Sequence, residues 1–155
     1  MLQDFKLVKS IVMSEMLKGI LAVSGQSGLY KLISQAKSSI IVESLKDGKR
    51  MPAYATSRIS ALEDISIFTE EGDVKLIDVF KNIFEKENGG QAISHKSSGN
   101  ELKKYFEGIL PDYDKDRVYV SDIKKVYMWY NLLLEKDVFK FDEEEATEES
   151  KEADA

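Results

Sequence analysis

The Asp47-Gly48 pair, set between two strand-like runs, is the feature that most constrains how this chain can fold. In that setting an Asp-Gly pair is a strong signal for a β-hairpin with a two-residue type I′ turn, in which both residues take a positive φ. Such a turn would place Leu45 opposite Arg50. The strands on either side of the pair are therefore predicted to run antiparallel.

Alternation along this hairpin assigns its side chains to two faces. The face predicted to point inward is small and mostly apolar, and it carries Ile40, Val42, Ser44, Met51, Ala53 and Ala55. The face predicted to point outward carries Ile41, Glu43, Leu45, Arg50, Pro52 and Tyr54. A basic and aromatic patch on this outer side is our first candidate interaction surface, and its members are Lys49, Arg50, Tyr54 and Arg58.

The hairpin belongs to a series of short strands in the first half of the chain. The five predicted strands are Gly19–Val23, Leu29–Ile33, Ser39–Leu45, Arg50–Ala55 and Ile65–Thr69. A single helical or 3₁₀ turn, Ser60–Asp64, precedes the last of them. Because Pro52 cannot donate to a ladder, it favours an edge or a bulge for the fourth strand. This pattern is typical of a small SH3-like barrel, a fold that closes its own sheet edges.

Apolar residues in the second half recur at helical spacing. A first helix starting near Leu76 should stop at Asn88-Gly89-Gly90, a second should end at Pro111, and a third should have Ser121 as its N-cap. The sequence thus predicts an α+β chain with an N-terminal five-stranded β-barrel and a C-terminal domain of about three helices. The predicted segments are an N-terminal extension (1–15), the barrel domain (16–72), the helical domain (73–137) and an acidic disordered tail (138–155).

The net charge of −6 is concentrated at the C-terminal end of the chain. Residues 142–155 carry eight of the 28 acids and one of the 22 bases, so residues 1–141 are close to neutral. Such a segment cannot bury enough apolar surface to fold alone, which favours a solvated tail. The alternatives for the tail are a nucleic-acid mimic and a docking segment for a basic partner.

Several functional classes have no support in the sequence. The chain has no cysteine, which excludes disulfides and thiolate chemistry, and charges near the start leave no apolar core for a signal peptide. Its apolar runs are too short to span a bilayer. We therefore expect a cytoplasmic protein with no membrane association.

Motifs that could carry catalysis or bind a metal fail their tests. Asp112, Asp114 and Asp116 match positions 1, 3 and 5 of a calcium loop, but Arg117 replaces the required Gly and Ile123 the required Glu. A turn in which these aspartates cap the last helix and pair with a neighbouring base is the preferred interpretation. His95 is the only histidine and lies in a Ser/Gly-rich loop. We expect no catalytic residue, no cofactor and no metal site, and hence no enzyme.

The last predicted helix is apolar on nearly all sides, so it should be covered on more than one face. Tyr127, Trp129 and Tyr130 form our second candidate surface, a helical interface for a protein partner or a second copy of the chain. The alternative is that these aromatics form the contact between the two domains.

Three parts of the chain resemble an uncharacterised family of Bacteroidota proteins that consists of domains of unknown function. The matching segments are Met16–Gly25 with Gly28–Ser34, Ile41–Leu45 with Lys49–Ala55, and Leu110–Asp114 with Asp116–Tyr119 and Ser121–Lys125. The resemblance covers about residues 16–135. It implies a small N-terminal β domain, a C-terminal helical domain and a usual start near Met16, and it implies no activity.

These observations lead to two functional hypotheses and a weak third. The first is a non-enzymatic protein-interaction or scaffold module. The second is nucleic-acid binding, RNA in particular, through the barrel, because residues 16–69 hold seven bases against four acids and offer Tyr30 and Tyr54 for stacking. The third is an enzyme without a recognisable motif.

Overall fold

The computed structural model describes residues 15–26, 28–54 and 58–141, and these form an α+β fold. The strands are β1 (Ile20–Val23), β2 (Leu29–Gln35), β3 (Ser39–Ser44), β4 (Arg50–Tyr54), β5 (Ile59–Ala61), β6 (Ser66–Thr69) and β7 (Gly72–Lys75). A 3₁₀ turn (Leu62–Asp64) follows β5, and the helices are α1 (Leu76–Lys86), α2 (Gly99–Ile109) and α3 (Val120–Glu135). The predicted α+β class with its five-stranded sheet and three helices is confirmed. The predicted extension up to residue 14 and residues 142–155 of the predicted tail lie outside the described residues, whereas Phe139 and Phe141, which the sequence assigned to the tail, are buried in the core.

The main sheet is antiparallel and has the order β4-β3-β2-β1-β5. Its fifth strand is Ile59–Ala61, whereas the predicted fifth strand, Ile65–Thr69, contributes instead to a separate hairpin of β6 and β7. The prediction was wrong because three residues are enough to pair with β1, in the register Val23↔Ile59 and Leu21↔Ala61. The 3₁₀ turn then redirects the chain away from the sheet. Among the described residues, β4 and β5 do not pair with each other.

The turn between β3 and β4 is longer than predicted. Glu43 pairs with Arg50, and the Ser44 N–H donates to the Lys49 carbonyl at 2.8 Å, so four residues rather than two form the loop. Within this loop, only Gly48 takes a positive φ, of 74°. The Asp47 carboxylate accepts a hydrogen bond from the Lys49 N–H at 3.0 Å, which stabilises the wider loop.

This change shifts the pairing by two residues and therefore leaves each side chain on its predicted face. Val42 and Ala53 are buried on the inner face, and Arg50 and Tyr54 are exposed on the outer one. The predicted faces are confirmed for the described residues, while the predicted two-residue turn is wrong; Ala55, also expected on the inner face, lies outside the described residues.

Two apolar clusters hold the fold together. The smaller lies on the inner face of the sheet, and its buried members are Leu21, Val23, Tyr30, Val42 and Ala53. The larger joins the opposite face of β1 and β2, through Ile20 and Leu29, to the 3₁₀ turn, the β6–β7 hairpin and all three helices. The sheet near β1 is thus covered on both faces.

The helix ends follow local signals, with one exception. After α1, Asn88 and Gly89 take positive φ values, and the Gly89 N–H donates to the Phe84 carbonyl at 2.9 Å, as the predicted stop requires. The predicted Ser121 N-cap is wrong, because α3 already begins at Val120. The Asp122 carboxylate accepts the Tyr119 N–H at 3.0 Å and so stabilises the earlier start.

Helix α3 is held in place by buried and half-buried hydrogen bonds. The Tyr127 hydroxyl donates to the Leu102 carbonyl at 2.7 Å, and the Tyr130 hydroxyl donates to the Gly90 carbonyl at 2.8 Å. The Asn131 side-chain oxygen accepts the Ala92 N–H at 2.7 Å. These bonds fix α3 against α2 and against the loop that follows α1, so the side chains on its other face have defined positions.

We expect the fold to lose stability in alkali. Burial raises the pKa of Tyr130 to about 12, and burial together with the nearby Tyr105 raises the pKa of Tyr127 further. Because tyrosines of the unfolded chain ionise at about pH 10, their stabilising contribution is complete below that pH and is lost as the pH rises through the raised values. Urea unfolding at pH 8 and pH 11 measures the difference. A Tyr127→Phe/Tyr130→Phe variant should be less stable at pH 8 and less sensitive to alkali, whereas equal midpoints for the native chain at both pH values would contradict the expectation.

A candidate docking groove

The first predicted surface is exposed, but part of its positive charge is neutralised by an ion pair. Tyr54 is 53% exposed, and Lys49 and Arg58 are also exposed. The Arg50 Nε lies 3.0 Å from the Glu43 carboxylate across the β3–β4 pair. Arg58 precedes β5, which lies at the opposite edge of the sheet from β4. Arg50 and Tyr54 thus lie on the outer face of β4, Lys49 is exposed in the turn that precedes it, and Arg58 lines a cavity beside β5.

The three aromatics of the second predicted surface have different environments. Tyr127 and Tyr130 are fully buried and hydrogen-bonded within the chain, so they belong to the core rather than to a docking surface. Trp129, the only tryptophan of the chain, is half-buried. It is therefore the only one of the three that can contact a partner.

Trp129 lies between two cavities that flank the outer face of α3. The first, about 230 Å³, is bounded by Ile65–Phe68 on one side and by Arg117, Val118 and α3 on the other. The second, about 510 Å³, is bounded by residues 22–26, Arg58, Ser60 and α3. Both cavities share Ile65, Lys125 and Trp129. We call the two cavities together the Trp129 groove.

Helical spacing creates the α3 wall of this groove. Asp122, Lys125, Val126 and Trp129 follow the i, i+3, i+4, i+7 pattern and so lie along one face. Tyr127 and Tyr130 lie on the buried face, where they anchor the helix. The wall is therefore held by the core contacts of the same helix.

The groove has more positive than negative charge. Arg58, Arg117 and Lys125 line it, and Asp122 is the one carboxylate among its described lining residues. The Asp122 carboxylate already accepts the Tyr119 N–H. Glu63 and Asp64 precede Ile65 in the chain but line neither cavity. The groove is thus suited to anionic side chains.

Arg117 marks one end of the groove and is held there by two contacts. Its Nε donates to the Asp114 carboxylate at 2.7 Å, and its guanidinium lies 4.3 Å from the ring centre of Phe68. The hydrogen bond with Arg117 keeps the pKa of Asp114 below its usual value. Asp114 also accepts the Asp116 N–H, so the predicted aspartate turn with a neighbouring base is confirmed. The last helix, however, is capped by Asp122.

Lys125 and Arg58 differ from Arg117, because neither forms an ion pair with another residue in the described ranges. Lys125 lines both cavities, and Arg58 lines the larger one. These two cations are available to an incoming anionic group.

The structure also bears on the predicted role of Tyr30 and on the question of membrane-spanning helices. Tyr30, predicted to stack on a nucleic-acid base, is buried in the smaller cluster, and its hydroxyl donates to the Gln26 side chain at 3.3 Å. It is therefore not a surface platform, because alternation places it on the inner face of β2. In the part of the chain that the structure describes, no helix is long and apolar enough to cross a membrane.

Family models match the two halves of the chain separately. A domain of unknown function, DUF5606, matches residues 17–62, and a second domain of unknown function, DUF6852, matches residues 65–133. A solution NMR structure of a structural-genomics target protein from Bacteroides vulgatus is similar over 81% of this chain and 90% of that one, with 45% identity and a TM-score of 0.68. The chain belongs to the same family as this Bacteroides vulgatus protein. The predicted relationship to uncharacterised Bacteroidota proteins is confirmed.

The family matches also show how the groove is built. The DUF5606 segment contributes Ala22–Gln26, Arg58 and Ser60, and the DUF6852 segment contributes Ile65–Phe68 and the α3 wall. The larger cavity therefore lies between the two family domains, whereas the residues that line the smaller cavity all belong to the DUF6852 segment. A comparison with curated proteins gave no significant match.

Sequence reasoning missed most of the residues of the groove. Ile65, Ser66 and Phe68 were expected in the main sheet, and Lys125 was named only within the segment Ser121–Lys125 that resembles the family. The sequence did contain a signal for the α3 wall of the groove. Helical spacing i, i+3, i+4, i+7 relates Asp122, Lys125, Val126 and Trp129, and it places the cation Lys125 and the aromatic Trp129 on the same face of the helix.

Proposed function

We propose that this protein is a non-enzymatic protein-interaction module that binds a partner protein in the Trp129 groove. The observation that carries the proposal is the half-buried Trp129 at the junction of two cavities, with the cations Lys125 and Arg58 beside it, which form no ion pair with another described residue. Tryptophan and arginine dominate binding energy at many protein interfaces, above all where they lie in pockets. Met128, which lines the larger cavity, belongs to another residue type that is enriched at such contacts.

Rigidity of the groove walls further supports the proposal. On one side, α3 is anchored by the hydroxyls of Tyr127 and Tyr130, and on the other, β1 pairs with both β2 and β5. A preformed site loses little conformational entropy when it binds. We further propose that the protein acts in the cytoplasm, the location that the sequence predicts.

We further propose that the five-stranded sheet is an SH3-like barrel. Only residues 55–58 join Tyr54 at one edge to Ile59 at the other. Five extended steps reach about 17 Å, whereas a flat five-stranded sheet would need about 19 Å between its edge strands, so the sheet has to curl. Met51 and Ala53 of β4 pack in the same cluster as Ile59 and Ala61 of β5, as expected for a curled sheet.

Because the chain has no cysteine, a single introduced cysteine can be labelled selectively, and this permits a cross-linking test. Ser60 is exposed and lines the larger cavity, whereas Ser38 is exposed in the turn between β2 and β3. Ser60→Cys and Ser38→Cys variants carrying a photo-reactive maleimide would be exposed to extract of the native cell. We expect one protein, identified by mass spectrometry, to cross-link at residue 60 and not at residue 38, and the adduct to disappear when Trp129→Ala is added.

Three outcomes would contradict the docking function. The first is equal cross-linking at residues 60 and 38, and the second is an adduct that survives Trp129→Ala. The third is an adduct that nuclease removes and protease leaves, which would favour the nucleic-acid hypothesis instead. Trp129→Ala must retain the circular dichroism spectrum and cooperative unfolding of the native chain for the comparison to hold.

A further inference from the structure

Strand β6 has an incompletely paired outer edge that opens into the Trp129 groove. In its hairpin with β7, Ile67 pairs with Val74, and the Leu76 N–H donates to the Ile65 carbonyl. Since backbone groups alternate in direction along a strand, residues 65, 67 and 69 bond toward β7, and residues 66 and 68 point away from it.

The far half of this edge is occupied by the chain itself. The Asp114 N–H donates to the Phe68 carbonyl at 2.9 Å, and the Glu70 N–H donates to the Asp112 carbonyl at 2.9 Å. Alternation turns the Ser66 N–H, the Ser66 carbonyl and the Phe68 N–H away from β7, and within the described residues none of them has a backbone partner outside the β6–β7 pair. Because residues 112–118 lie on the same side of β6, these three groups face the groove.

Side chains around this edge specify the chemistry of an occupant. Arg117 is at one end, Lys125 faces the middle and Arg58 is at the far end, while the one lining carboxylate, Asp122, is already hydrogen-bonded. Ile65, Phe68 and Trp129 line the groove and remain partly exposed, so they supply an apolar surface beside the cations. An extended peptide whose acidic and apolar side chains alternate would direct carboxylates toward the cations and apolar groups toward this surface.

We propose that the groove binds an extended acidic segment of the partner protein, which adds as a strand to β6 at Ser66. This inference rests on the proposed docking function and defines its partner. Main-chain hydrogen bonds to Ser66 and Phe68 supply affinity, and the cations supply selectivity.

Fluorescence of Trp129, the only tryptophan, gives a direct assay in the full-length protein. The probe is a synthetic ten-residue peptide of alternating glutamate and isoleucine that lacks tryptophan. We expect a saturable change in Trp129 emission that weakens as salt is added. Lys125→Glu should weaken binding about tenfold or more at low salt. Lys124→Glu, on the same helix but outside both cavities, makes the same charge change and should have little effect.

Two modified peptides test the two parts of the inference. Methylating alternate backbone amides removes the donors of a new strand without changing charge, and it should weaken binding about tenfold or more. Replacing each glutamate by lysine should abolish binding. Retained affinity of the methylated peptide would overturn strand addition, and equal binding of the lysine peptide would overturn the acidic occupant.

Other occupants give distinct results, each of which would overturn the assignment. One is tighter binding of a single-stranded RNA than of the peptide, and another is self-association that depends on Trp129 in sedimentation. A third is occupancy by residues 142–155 of the same chain, revealed when replacing their acids with amides changes Trp129 emission without peptide. If residue 60 cross-links to a partner but the acidic peptide does not bind, the docking function stands and this occupant is wrong.

Discussion

Replacing Phe80 with alanine is expected to lower the free energy of unfolding by about 3–5 kcal/mol, the usual cost of emptying a fully buried aromatic site. Phe80 is fully buried at the centre of the larger cluster, and its ring centre lies 5.5 Å from that of Phe139 and 6.1 Å from that of Tyr130. Urea unfolding followed by circular dichroism measures the change.

The matched control is Glu85→Ala, an exposed site on the same helix, which should alter stability by about 0.5 kcal/mol or less. Since a domain of this size is stable by only about 5–15 kcal/mol, Phe80→Ala removes a large part of the total. A loss below about 1 kcal/mol for Phe80→Ala would show that the aromatic cluster does not form the core described above.

Leu29→Ala is expected to cost about 2–5 kcal/mol and to destabilise the sheet and the helices together. Leu29 lies on β2 but is fully buried in the larger cluster, on the face that meets the helical part of the chain. Trp129 emission reports on α3, and hydrogen exchange of the β3 amides reports on the sheet. Both probes should shift to the same lower urea midpoint.

A control for this second prediction lies on the same strand. Ile33 is exposed at a bulge between Leu32 and Ser34, so Ile33→Ala should have a small effect. If Leu29→Ala shifted the sheet probe and left the helix probe unchanged, the two family domains would unfold independently. The larger cavity of the groove, which lies between them, would then have no fixed shape.

Much of this fold follows from short-range patterns. Helices α1 and α2 were predicted because their apolar residues recur at helical spacing and because Asn88, Gly89 and Pro111 supply stop signals. The two faces of the β3–β4 hairpin were predicted correctly although the loop is longer than expected. The longer loop shifts the pairing by two residues, and a shift of two leaves every side chain on the same face of the sheet.

Features that depend on competing local bonds were missed. The side chain of Asp47 bonds to the Lys49 N–H and favours a wider loop than the Asp-Gly pair predicts, and the side chain of Asp122 moves the start of α3 ahead of Ser121. Strand β5 has only three residues, too few for a periodic pattern. Each error came from one hydrogen bond or one short pairing that the spacing of apolar residues cannot reveal.

The groove could not be predicted, because its walls come from segments far apart in the chain. Arg58 precedes β5 and Lys125 lies on α3, and only tertiary packing brings them to the same cavity. Nor does sequence distinguish Trp129 from Tyr127 and Tyr130, since nearly all sides of α3 are apolar. The hydrogen bonds of the two tyrosines make that distinction.

Hydrogen exchange of the complex with the cross-linked partner tests the central claim most directly, because it compares the groove with the hairpin surface in one experiment. We predict new protection at the Ser66 and Phe68 amides, on the open edge of β6, and no change at Arg50–Tyr54. Protection confined to Arg50–Tyr54, with β6 unchanged, would contradict docking in the Trp129 groove.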